Sequence, residues 1–197
     1  MKKIVLLSLL FMTPATAYLQ WEMSSIYRDA SGYFQAILDQ DVEKIMTYLH
    51  PAFTDSPESE EIIAEYFYTL GDPESGIQFK DISFQSASDI VKHKNLSYRA
   101  VFFRFTLLVN LDDEDADPDL WLEMLGQQYG EKNVKHHVDK GQITVNGVDG
   151  MYAFKNSENE TWKFINAQAL YLMEDIIPEV VLNAFAVPLA EWRVSNL

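Results

Sequence analysis

Ser97-Tyr98-Arg99-Ala100-Val101-Phe102-Phe103-Arg104-Phe105-Thr106-Leu107-Leu108-Val109 is the stretch that decides the fold. It is rich in aromatic and β-branched residues, which fit a pleated, half-buried surface better than a helix. Successive strand side chains leave on opposite faces, so odd and even positions read separately. The odd positions Val101, Phe103, Phe105, Leu107 and Val109 make a wholly apolar face. The even positions mix Tyr98, Phe102 and Leu108 with Arg104 and Thr106. One side of this strand is core, and the other is a semi-polar surface or a cavity wall.

Outward from that strand the periodicity changes in each direction. Towards the C-terminus, strands are expected at Val134 to Val138, Ile143 to Val148, Met151 to Lys155 and Thr161 to Ala169. Asn156 to Glu160 forms a polar hairpin loop between the last two. Before them, Leu111 to Pro118 is an acidic loop, and Asp119 is placed to cap a short helix using Leu120, Trp121, Met124 and Leu125. A last helix is expected from Pro178 towards Ala186, ending before Pro188.

Towards the N-terminus, Ile77 to Ala87 reads as a strand whose alternation slips, the mark of a bulge. Ile26, Tyr27, Ala30, Tyr33, Phe34, Ile37 and Leu38 keep helical spacing, giving a helix over Ser24 to Asp39. Asp41 suits the N-cap of a second helix burying Val42, Ile45, Met46 and Leu49, stopped at His50-Pro51. Ser56-Pro57 opens a third, which buries Ile62, Ile63, Tyr66, Phe67 and Leu70. Helices followed by meandering strands mean α+β, with helices against one face of a mostly antiparallel sheet.

The first 17 residues have the layout of an export signal. Lys2 and Lys3 precede the apolar run Ile4 to Met12, and Pro14 leads to the small-x-small site Ala15-Thr16-Ala17. The run is too short for a bilayer core of about 30 Å. Residues 18–197 are then one exported domain, periplasmic or secreted, with no membrane span.

Composition narrows the chemistry. The 197 residues carry a net charge of −15, with 30 acids against 15 bases. That surface repels phosphate backbones, so no nucleic-acid partner is expected. With no cysteine, disulfides, thiolate catalysis and Cys-ligated zinc are excluded. Asp113, Asp115 and Asp117 fall in an EF-hand-like register, but Pro118 stands where glycine is needed and Met124 where the bidentate glutamate is. His136 and His137 are adjacent in a strand and leave on opposite faces. No metal and no cofactor is expected. No Gly-x-Ser-x-Gly elbow and no glycine-rich phosphate loop occurs.

Several local words resemble a known superfamily. Tyr33-Phe34-Gln35-Ala36-Ile37, Asp41-Val42-Glu43-Lys44-Ile45 and Leu49-His50-Pro51-Ala52-Phe53 resemble the opening of NTF2-like (SnoaL-like, cystatin-like cone) domains. Ile62 to Phe67 is similar to their third helix. Met151-Tyr152-Ala153-Phe154-Lys155 with Thr161-Trp162-Lys163-Phe164-Ile165 resembles their closing strand pair. The resemblance implies helices packed on a curved sheet that forms a cone. The Leu111–Gly130 insertion and the C-terminal helix depart from the pattern.

Three functions follow as expectations. The first is a non-catalytic module holding a small apolar or amphipathic ligand in its cone. The resemblance places Tyr33, Tyr66, Phe102, Arg104 and Trp162 at the lining, and Arg104 suits an anionic group. The second is an interaction module, a homodimer or a partner of an envelope protein. Val180, Val181, Leu182 and Phe185 of the late helix, with Trp192, carry it.

The third comes from ketosteroid-isomerase-like members, with Tyr33 at the oxyanion-donor tyrosine and Asp55 near the proton-shuttling base. Asp55 has two fewer residues between, a serine precedes Pro57, and no strand aspartate matches the second donor. Enolate stabilisation would then be incomplete. Without that resemblance, Tyr33 reads as a core aromatic and Asp55 as a capping acid.

Overall fold

The computed structural model describes residues 14–51, 54, 61, 76–111, 117–156, 161–167 and 176–196. The basic start and apolar run of the export signal lie outside them, as do the expected third helix apart from Glu61 and the centre of the acidic loop. Among the described residues, α1 (Pro14–Leu38) and α2 (Val42–Tyr48) precede a six-stranded sheet. Its strands are β1 (Ile77–Ala87), β2 (Val91–His93), β3 (Leu96–Asn110), β4 (Val134–His137), β5 (Gln142–Asn156) and β6 (Lys163–Asn166). Helix α3 (Pro118–Tyr129) lies between β3 and β4, and α4 (Glu179–Asn196) follows β6.

The join of the first two helices shows how tightly the sequence specifies its turns. Gln40 takes a left-handed conformation (φ 57°), and its N–H donates to the Ile37 carbonyl at 3.2 Å. The Asp41 N–H donates to the Ala36 carbonyl at 2.9 Å, which completes a Schellman stop for α1. The Asp41 carboxylate then accepts from the Lys44 N–H at 3.0 Å and starts α2. One residue thus ends one helix and begins the next.

All strand pairs are antiparallel, and the curved sheet does not close. β3 and β5 form its spine in unbroken register, from Leu96 opposite Asn156 to Asn110 opposite Gln142. β1 and β2 lie along the outer edge of β3, and β4 and β6 along that of β5. The slipped alternation of β1 is explained by register shifts at Lys80 and Gln85. A parallel bridge from Leu49 to Phe164 carries the exit of α2 onto the β6 edge.

Both faces of the spine are buried, and this corrects the one-sided arrangement expected. Val101, Phe103, Phe105, Leu107 and Val109 pack with Ile143, Val145 and Met151 beneath α1, α2 and α3. On the opposite face Tyr98, Ala100, Phe102, Tyr152 and Phe154 are covered by Val181, Phe185 and Leu189 of α4. Gly150 marks the close approach, since a Cβ there would come within 2.2 Å of a Leu189 methyl.

Further boundaries differ from expectation: α1 begins at Pro14 rather than Ser24 and so includes Ala15-Thr16-Ala17, β2 was not expected, and β6 begins at Lys163 rather than Thr161. Ile143 to Val148 and Met151 to Lys155 are one strand, because Asp149-Gly150 stays extended within it. Asp117, rather than Asp119, caps α3, with its carboxylate accepting from the N–H groups of Asp119 and Leu120. Pro188 lies inside α4 instead of beyond it. The carbonyl it leaves without an N–H belongs to Ala184, an exposed residue that water can serve.

Candidate functional site

Tyr33 and Trp162 occupy the core beneath α1. Burial of Ile26, Ala30, Tyr33 and Phe34 fixes one stripe of that helix against the sheet. The Tyr33 ring stacks on Phe164, with centroids 5.4 Å apart and planes 17° from parallel. Tyr48 closes the group at 6.1 Å. Trp162 is fully buried, and its indole N–H donates to Ser25 Oγ at 3.0 Å.

Two polar side chains that sequence reasoning passed over hold this core in place. Asp29 is buried, and its carboxylate accepts from the Trp162 backbone N–H at 2.9 Å and from Arg28 Nε at 2.8 Å. Ser25 and Asp29, one turn apart, thus tie α1 to the start of β6. A polar pair at that spacing beside an apolar stripe is the sequence signal that could have found them. Burial lowers the Lys163 pKa below the usual lysine value, and the nearby Asp29 carboxylate partly opposes that shift. The Lys163 ammonium donates to the Thr47 carbonyl.

The other expected site residues do not join this group. Phe102 lies on the opposite face of the sheet, 5.3 Å from Trp192. Arg104 is exposed in mid-strand, in register between Ser83 and Val148. Asp55 and Tyr66 lie outside the described residues. Among the described residues, no three His, Asp or Glu side chains gather to hold a metal ion.

Helix α4 offers a different kind of surface. Its inner face is anchored by Val181, Phe185 and Leu189, and Arg193 reaches back to the buried Asp149 carboxylate. Asp149 also accepts from the Gly150 N–H at 2.7 Å. Of the residues expected to make the late helix a contact surface, Val181 and Phe185 are core and Trp192 packs on Phe102. Val180 alone of them remains strongly exposed, at 53%.

It is joined on that outer face by Val187 (61% exposed) and Val194 (81%), which the sequence reading did not single out. The three stand seven residues apart, two helical turns, and therefore share one side of the helix. Ala184 and Ala190, with Asn183 and Glu191, are also exposed and fill the intervals. Among the described residues no helix is long and apolar enough to cross a membrane. No protein-family model matches the chain, nor does any curated protein match it in sequence.

Proposed function

We propose that the chain is an exported, non-catalytic NTF2-like module that works by protein association through the outer face of α4. The carrying observation is the row Val180, Val187 and Val194, exposed on a helix whose other side is already committed to the sheet. An apolar row on a firmly docked helix is a preformed contact surface, with little ordering left to lose on binding. Helices α1 and α2 ahead of a curved antiparallel sheet, with the Leu49–Phe164 bridge at its edge, support the NTF2-like reading. The Lys2-Lys3 start and Ala15-Thr16-Ala17 site support export.

A small ligand held in one cone by Tyr33, Tyr66, Phe102, Arg104 and Trp162 fits the geometry less well. Tyr33 and Trp162 lie on one side of the sheet and Phe102 on the other. The test is substitution of Val180 or Val194 by Asp, followed by binding to the immobilised chain and to envelope extracts. Both sites are exposed, so the thermal midpoint should hold while binding is lost. Undiminished binding by both variants would overturn the proposal.

A further inference from the structure

We infer that the outer face of α4 is covered by a second copy of this chain, paired antiparallel about a two-fold axis at Val187. The inference rests on the association reading above and names the partner. Counted from Val187, Ala184 and Ala190 stand three residues to either side, and Val180 and Val194 seven. The row reads the same in both directions. A two-fold interface is self-complementary, so antiparallel helices set each position against its mirror position. Val187 therefore meets itself, Ala184 meets Ala190 of the second copy, and Val180 meets Val194 of the second copy. Alanine against alanine lets the helices approach at the short end of the usual spacing of about 8–10 Å.

Charge selects the same arrangement. Glu191, four residues after Val187, falls opposite Asn183, four residues before it, and both are exposed. A carboxylate then faces an amide donor rather than a second carboxylate. Glu179, eight residues before Val187, likewise falls opposite Ser195, eight residues after it, and both are exposed. The helix dipoles align favourably in that sense too. Parallel pairing would set Glu179 on Glu179 and Glu191 on Glu191, in a chain whose net charge is already −15. An unrelated apolar partner would require neither the symmetric row nor the matched flanks.

Because the chain has no cysteine, single substitutions read the register directly. Under mild oxidation, Val187→Cys should give a covalent dimer by itself. Val180→Cys and Val194→Cys should each stay largely uncrosslinked alone and form the mixed dimer when combined. Val138→Cys, at an exposed site away from α4, measures chance collision. Crosslinking of Val187→Cys no faster than that control would overturn the inference, as would self-linking of Val180→Cys with no mixed product. If crosslinking fails while the Val180→Asp and Val194→Asp variants still lose binding to envelope extracts, only the second-copy partner falls. If those variants bind undiminished, the association reading falls with it.

Discussion

Asp29 shows what a single buried acid does in this molecule. It holds the Trp162 N–H and the Arg28 guanidinium at once, so its removal leaves a buried donor without its acceptor. Asp29→Ala should cost about 1–3 kcal/mol, read from the urea midpoint followed by tryptophan emission. A second effect at this scale concerns alkaline pH. Burial raises the pKa of Tyr98 and of Tyr152 above 10.0, the latter partly offset by Arg193.

A folded-state pKa above the unfolded value means that the folded chain keeps protons the unfolded chain has released. Stability is then full below the ordinary tyrosine pKa and falls as pH rises through it. Lys163, whose pKa is lowered, pulls the other way in the same range. Comparison of the chain with its Tyr98→Phe/Tyr152→Phe variant cancels that contribution. The variant should lose less stability between neutral pH and the tyrosine range, and parallel curves would contradict the argument. Tyr33 was legible as a core aromatic from its place on the stripe. The capture of the Trp162 N–H by Asp29 was not, because it joins residues far apart in sequence.

At the scale of elements, the strands were read well wherever alternation was strong. Leu96–Asn110 extends the deciding stretch by one residue at each end, and the bulged β1 has the bounds expected. Errors came where a local breaker was overruled by packing. Asp149-Gly150 looks like a turn, but β3 holds it in register, and the absent glycine side chain admits Leu189. Pro188 looks like a helix end, but Val181, Phe185, Leu189 and Trp192 bury enough surface to carry the helix through it.

The sequence marks the late helix as apolar without separating the residues that face the sheet from those left outside. Its attachment can be weakened at Arg193, whose guanidinium meets the buried Asp149 carboxylate and is itself partly exposed. Solvent screening reduces the loss, so Arg193→Ala should cost about 1–2 kcal/mol. Hydrogen exchange should show that loss first in α4, ahead of β3 and β5. Uniform loss across the sheet would contradict a separately anchored helix.

At the scale of the whole molecule, two cores share one sheet, and each side of the spine has its own helical cover. The sequence announced the first cover through the stripe of α1 and only half announced the second. Once α4 is docked, its inner apolar residues are spent, and three valines remain on the outside of a strongly acidic chain. Association through that row should make the apparent mass depend on concentration. Sedimentation velocity over a rising concentration series tests it most directly, with the chain run beside Val187→Asp. The chain should move from one-copy towards two-copy mass as concentration increases, and the variant should stay at one-copy mass throughout. A single one-copy species for both, at every concentration, would contradict pairing through α4.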